Sequence, residues 1–200
     1  MDLHAEFGDI DIYVFDQLLR GRIAPGMRVF DAGCGGGRNL VYLLREGYDV
    51  FGNDADAAAI AHVTALAARL APGRSHDFRV EPIEQTSFAG GSADVVLMSA
   101  VLHFARDDSH FEAMLRAAWK VLRPGGVFFA RLASTIGIEA LVSASGPGRY
   151  HLPDGSDRYL ADAAAIESWT ERLGGELIDP IKTTVVHEQR SMTTWVARRR

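Results

Sequence analysis

The densest chemistry in the chain lies in Val29-Phe30-Asp31-Ala32-Gly33-Cys34-Gly35-Gly36-Gly37-Arg38-Asn39, an apolar run closed by a carboxylate and followed by glycines. This spacing predicts a short buried strand, a tight loop and then a helix. Glycine has no side chain to hold a ligand away and adopts positive φ, so the loop can bring bare backbone against a bound molecule. The N–H groups that open the following helix can then face that molecule's polar atoms. The pattern points to a pocket for a nucleotide-type cofactor.

Two familiar versions of such a loop fit poorly. A phosphate-binding P-loop ends in Gly-Lys-Ser/Thr to meet phosphates and magnesium, whereas Gly37 is followed by Arg38-Asn39. A dinucleotide loop needs G-x-G-x-x-G, with the third glycine allowing close helix–strand packing. Gly33 and Gly35 fill the first two positions, but Arg38 stands at the third. That argues against NAD or FAD and leaves an NAD-linked oxidoreductase as a minor alternative.

The elements that must position this loop alternate between strand-like and helix-like runs, the signature of a parallel sheet with helices on both faces. Strands are predicted at Arg28–Ala32, Asp49–Asn53, Asp77–Glu81, Ala93–Ser99 and Gly126–Leu132, with two more at Ile178–His187 and Met192–Arg198. Consecutive apolar residues, as in Val95-Val96-Leu97-Met98, suit strands covered on both faces. A helix is expected over Asp9–Arg20, with Ile12, Phe15 and Leu19 on one face. Asp54 or Asp56 can cap the next, which carries Ile60, Val63, Ala67 and Leu70 inward and stops at Pro72-Gly73. Ser109 and Glu112 form a capping box for a helix bearing Phe111, Met114, Leu115, Ala118 and Leu122. Asp162 begins the last, with Ile166, Trp169 and Leu173 inward. Gly137, Gly146, Pro147, Gly148, Pro153 and Gly155 break up residues 134–160. So long a connection beside the carboxyl edge of the sheet is expected to serve the ligand site.

Whole-chain properties narrow the function. At 200 residues the chain can build one α/β domain with a full core. A net charge of −5 argues against a broad nucleic-acid footprint, the terminal Arg198-Arg199-Arg200 run notwithstanding. No apolar run approaches a membrane span and the N-terminus lacks a signal pattern, so a cytoplasmic protein is expected. The one cysteine rules out an intrachain disulfide, and the histidines show no metal-ligand spacing, so no metal is expected.

The segment Asp31-Ala32-Gly33-Cys34-Gly35-Gly36-Gly37 resembles the D-x-G-x-G-x-G signature of class I S-adenosylmethionine-dependent methyltransferases. Val50-Phe51-Gly52-Asn53-Asp54 resembles that family's second strand with its terminal acid, and Ala93–Phe104 its fourth strand and following turn. Val121-Leu122-Arg123-Pro124-Gly125-Gly126 resembles the turn before its fifth strand. Gly33-Cys34-Gly35 with Arg38-Asn39 and Glu46–Val50 is similar to the small bacterial tellurite-resistance enzymes of that family. The resemblance implies a Rossmann-like doubly wound sheet, mostly parallel with an antiparallel C-terminal strand. It divides the chain into an N-terminal helical cover (1–27), a cofactor core (28–132), an acceptor-side loop region (133–160) and closing elements (161–200).

The same resemblance assigns roles. Asp54 would accept hydrogen bonds from both ribose hydroxyls, with Ala55 beside it. Gly33, Cys34, Gly35 and Gly37 would line the methionine portion, and Asp31 would orient the loop and face the ammonium group. Cys34 reads as a small filler rather than a nucleophile. The family's adenine-binding Asp falls on Pro82 here, which leaves Glu81 or Glu84 and the Ile83 backbone for the adenine. Ser99 and Ala100 would lie beneath the transferable methyl. His103 would take a proton from a substrate hydroxyl, amine or thiol, since its unperturbed pKa lies near neutrality. Phe7 and Tyr13 could close over the cofactor, and Arg149, Tyr150, His151 and Arg158 offer contacts for an acceptor. The implied function is methyl transfer from S-adenosylmethionine to a small-molecule acceptor. A cofactor-binding module without transferase activity is the alternative from another class.

Overall fold

The computed structural model describes residues 2–200. Two short helices, α1 (Leu3–Phe7) and α2 (Ile12–Leu19), precede the sheet, capped by the side chains of Asp2 and Asp11. Strands and helices then alternate: β1 (Arg28–Ala32), α3 (Val41–Arg45), β2 (Asp49–Asp54), α4 (Ala57–Leu70), β3 (Phe78–Val80), β4 (Ala93–Ser99), α5 (Asp108–Val121) and β5 (Leu122–Ala133). After three small strands, β6 (Ser143–Gly146), β7 (Arg149–His151) and β8 (Asp157–Tyr159), come α6 (Ala163–Arg172), β9 (Gly175–Leu177), β10 (Lys182–Val186) and β11 (Arg190–Arg199).

The main sheet runs β10-β11-β5-β4-β1-β2-β3, with β9 also paired to β11. Strands β1 to β5 are mutually parallel, and β9, β10 and β11 close the far edge antiparallel. This is a Rossmann-like doubly wound α/β sheet. From β1 the chain moves to β2 on one side, and from β4 to β5 on the other. The carboxyl ends of β1 and β4 therefore part, and a crevice opens between their loops.

Side-chain alternation explains the uninterrupted apolar runs. Val95 and Leu97 point to one face, where they meet Leu43 of α3 and Ile60 and Val63 of α4. Val96 and Met98 point to the other, against Phe111 and Leu115 of α5 and Ile166 of α6. Both faces of the central strands are thus dry.

Several boundaries differ from the pattern reading. The helix after the glycine loop starts only at Val41; residues before it form turns closed by Gly37 N–H to Cys34 O and Leu40 N–H to Gly37 O. Helix α2 turns Val14 and Gln17 inward, leaving Ile12 69% and Leu19 73% exposed. Gln17 is drawn in because its amide donates to Asp179, a carboxylate that also pairs with Arg22 at 2.6 Å. Asp107, not Ser109, caps α5 by accepting from His110 N–H at 2.8 Å, and Glu112 pairs with Arg116 instead. Of the two candidate caps for α4, Asp56 takes the role by accepting from Ala58 N–H. The segment Ile178–His187 is not one strand. Pro180 has no N–H to give to a ladder, and pairing stops at Leu177 and resumes at Lys182. Residues 134–160 are not a bare connection either, since β6, β7 and β8 form an antiparallel sheet of their own.

Packing at the closing edge is testable. Trp195 is fully buried, its ring edge-on to Phe128, and its Nε1–H donates to Thr170 Oγ1 at 2.9 Å. Thr170→Val keeps the volume but strands the indole N–H, so urea unfolding should show a loss of about 1–3 kcal/mol. Trp195→Ala should cost about 3–5 kcal/mol through the cavity it leaves.

Candidate active site

Three hollows follow the carboxyl edge of the parallel strands. The first, about 470 Å³, is bordered by Gly33, Gly35, Asp54, Ala55, Ile83 and Glu84. The second, about 490 Å³, shares Gly33, Gly35 and Ala100 with it and continues along Cys34, Arg38 and Ser99. The third, about 280 Å³, shares Arg38 and Ala100 with the second and adds His103, Arg131, Arg158 and Arg190. Of the residues expected at the site from the sequence, Gly33, Cys34, Gly35, Gly37, Asp54, Ala55, Ile83, Glu84, Ser99 and Ala100 border the first two hollows, His103 borders the third, and Asp31 and Glu81 border none of them.

The glycines of the loop serve different ends. Gly35 has φ of 51°, and a Cβ built on it would meet no protein atom within 4 Å. The space above it is room for a ligand. At Gly37, with φ of 82°, a Cβ would lie 2.7 Å from Val63 Cγ2, so this glycine lets α4 pack against the loop.

Asp54 stands at the end of β2. Its Oδ2 accepts from Gly35 N–H and its Oδ1 from Asp56 N–H, both at 2.9 Å. The carboxylate therefore shapes the loop while bordering the first hollow. Asp31 lies buried at the base of the loop and borders none of the three hollows. Burial pushes its carboxyl up to about 7, with the Arg38 charge opposing and the Asp54 charge adding to the rise. Cys34 is inert as a thiol: burial drives its pKa upward, and the charges of Asp31 and Asp54 reinforce this.

At the other end of the first hollow, Glu84 and Glu81 part company. Glu81 turns to Ser87, accepting from its N–H at 2.9 Å. Glu84 borders the hollow, with Oε1 3.1 Å from His110 Nε2. Arg106 N–H donates to His110 Nδ1, which leaves the ring proton of the neutral imidazole on Nε2, directed at Glu84.

The sequence reading missed an ionic cluster built around the buried Asp11. Ser99 Oγ donates to Asp11 Oδ2 at 3.1 Å and accepts from Arg38 Nη2 at 3.0 Å. Arg131 Nη1 donates to the same Asp11 oxygen at 3.0 Å, and Arg38 reaches it at 3.6 Å. Asp11 N–H in turn donates to Asn39 Oδ1 at 2.9 Å. The cluster ties α2 to the glycine loop, β4 and β5. One signal was available: Arg131 is a charge inside the apolar run Val127–Leu132, and a buried charge needs a partner.

Two further residues border the third hollow. His103 is buried, its ring 4.5 Å from that of Phe104 and tilted by 49° to it, and has Nδ1 without a hydrogen-bond partner among the described residues. Burial pulls its pKa down to about 4, with the Arg158 charge adding to the fall, so it is uncharged at neutral pH. Ala100 is a non-glycine residue at φ of 63° and borders all three hollows. Asp11→Asn keeps the side-chain shape but leaves Arg131 without its counter-charge. Denaturant unfolding should show a loss of about 1–3 kcal/mol, largely recovered in Asp11→Asn with Arg131→Met.

Comparison with known proteins agrees with this geometry. A family model described as a methyltransferase domain matches residues 30–130. A ubiquinone biosynthesis O-methyltransferase of Chelativorans sp. is 35% identical over 139 residues, covering 67% of this chain and 52% of that one. The chain spans about half the length of the curated relatives it matches first, 47% and 52%. Among solved structures, a SAM-dependent methyltransferase from Methanosarcina mazei shares the fold with a TM-score of 0.75 at 19% identity, covering 91% of this chain and 96% of that one. The magnesium protoporphyrin IX methyltransferase of Synechocystis PCC 6803, solved with bound SAH, has a TM-score of 0.71 at 21% identity, covering 95% and 81%. With the matched residues spanning the glycine loop, Asp54, Ser99 and the strands that carry them, the chain belongs to the methyltransferase domain family.

Proposed function

We propose that the chain is a single cytoplasmic methyltransferase domain that transfers a methyl group from S-adenosylmethionine to a small-molecule acceptor. The observation that carries this reading is the open space over Gly35 beside Asp54, on the rim of a crevice formed where the strand order reverses. The SAH-bound relative of the same fold and the small-molecule names of the relatives support it. No helix among the described residues is long and apolar enough to cross a membrane. Within the domain, 1–27 would form the cover, 28–132 the cofactor core, 133–160 the acceptor side and 161–200 the closing elements.

The residues fit the cofactor. A carboxylate offers about four lone-pair sites, so Asp54 retains capacity for two ribose hydroxyls beyond its bonds to Gly35 and Asp56. Ala55, Ile83 and Glu84 line the adenine end, and the backbone of Gly33, Cys34 and Gly35 with Ser99 lines the methionine end. Asp31 acts on the ammonium group through its charge rather than from the rim. When bound, the sulfonium supplies a methyl already activated for displacement. The protein's task is to place the acceptor in line and exclude water, and such positioning can contribute roughly 7–11 kcal/mol. His103, uncharged and on the third hollow, is the candidate catalytic base for an acceptor that must lose a proton. Burial and the Arg158 charge hold its pKa at about 4, so it is a weak base and contributes less than a histidine titrating near neutrality would.

Calorimetry with the demethylated cofactor tests the reading. The protein should bind S-adenosylhomocysteine, and Asp54→Ala should weaken binding about 10–100-fold by removing charge-assisted hydrogen bonds. Absence of binding to the unmutated protein would overturn the assignment. The pH dependence has a definite sign. An ammonium group favours ionised Asp31, and a carboxyl raised to about 7 must release a proton to provide it. Affinity should therefore rise with pH through about 7, and Asp31→Asn should flatten that rise.

A further inference from the structure

We infer that the third hollow anchors an anionic oxyacid group of the acceptor, a carboxylate or a phosphate, through Arg158 and Arg190. The inference rests on the methyltransferase reading and goes beyond it by naming the acceptor's class. Four guanidinium groups border this hollow, brought there by four separate elements: Arg38 from the glycine loop, Arg131 from β5, Arg158 from β8 and Arg190 from β11. The convergence stands out on a chain whose net charge is −5.

Their counter-charges are incomplete. Asp11 is shared between Arg131 and Arg38. Among the described residues Asp154 is the one carboxylate bordering the hollow, and its Oδ1 is occupied by the N–H and hydroxyl of Ser156, at 2.9 and 2.6 Å. Arg190 and Arg158 influence Asp154 only through space. Among the described residues neither forms a salt bridge, and Arg158 spends one N–H on the Asp157 carbonyl while lying 5.2 Å from the centre of the Phe104 ring. Arg131 also keeps its Nε buried without a partner. Four guanidiniums thus face two carboxylates, Asp154 at the hollow and Asp11 behind it, an excess of two positive charges to which His103, being neutral, adds none.

Shape and place agree with the charge. At about 280 Å³ the hollow holds a small molecule, roughly nine waters at about 30 Å³ each. Leu152 and Met192 give it apolar wall for a carbon body. Through Arg38 and Ala100 it adjoins the second hollow, where the methionine end of the cofactor would lie. An acid anchored at Arg158 and Arg190 would extend its nucleophile toward Ala100 and His103. The anion is the handle, and the methylated atom is elsewhere in the molecule.

Inorganic phosphate and benzoate serve as probes, titrated by calorimetry at constant ionic strength into protein saturated with S-adenosylhomocysteine. Saturation keeps the probes out of the cofactor's own carboxylate site. At least one probe should bind, and Arg158→Gln with Arg190→Gln should weaken it at least about tenfold. S-adenosylhomocysteine affinity should stay unchanged in that double variant, and Arg172→Gln on the far helix should bind the probe normally. A preference for phosphate would assign a phosphate ester, and a preference for benzoate a carboxylic acid. If neither probe binds, or the double variant binds as well as the parent, the inference is wrong. Failure of the parent to bind S-adenosylhomocysteine would instead overturn the methyltransferase reading.

Discussion

Parallel pairing is the constraint from which the site follows. Because β1 to β5 all run the same way, every loop that leaves a carboxyl end emerges on one edge of the sheet. The dry faces of the strands admit no charge without a partner, so polar residues collect where the strands stop. Asp31, Asp54 and Ser99 are each at or next to the last residue of a strand. The reversal of strand order between β1 and β4 then opens that edge into a crevice. Glycine at the β1 turn leaves the crevice floor as bare backbone.

Burial tunes the groups around this crevice in opposite directions. Low dielectric disfavours whichever form carries charge. It holds Asp31 partly protonated near neutrality and keeps His103 unprotonated there. The same physics raises the Cys34 thiol out of reactive range. Carboxylates, Asp54 and Glu84, border the first hollow, while guanidinium groups gather at the third. That asymmetry gives the two ends of one continuous trough opposite charge.

The parts of this arrangement that could be read from residues are those governed by local rules. Alternation over Val95–Met98 and the glycine run after Asp31 each follow from neighbours in sequence, and both located elements of the site. The misreadings arise where distant residues decide. Ile12 and Leu19 do share a helical face, but Gln17 is pulled inward by Asp179, 162 positions away. Asp11 and Arg131 lie 120 positions apart, and no periodicity couples them. Asp107 and Ser109 are both capping types two residues apart, and only the chain's extended entry at Asp107, with φ of −167°, decides between them. Arg190 sits outside any motif, and its role emerges only when the antiparallel edge folds back over the carboxyl ends.

Ala100 shows how the two halves of the trough are joined. A left-handed conformation costs a non-glycine residue roughly 1–2 kcal/mol, so the surrounding structure must hold it there. Its N–H donates to the Arg131 carbonyl at 2.7 Å, directly after Ser99 pairs with Arg131 in the ladder. The side chain of that same Arg131 is fixed by Asp11, which also accepts from Ser99. The backbone kink at the meeting point of the hollows and the positive wall of the third hollow thus depend on one strand residue. A methyl is the smallest side chain that a chiral residue can present at this point. Anything larger would narrow the passage between the hollows, so strain and small size there serve the same end.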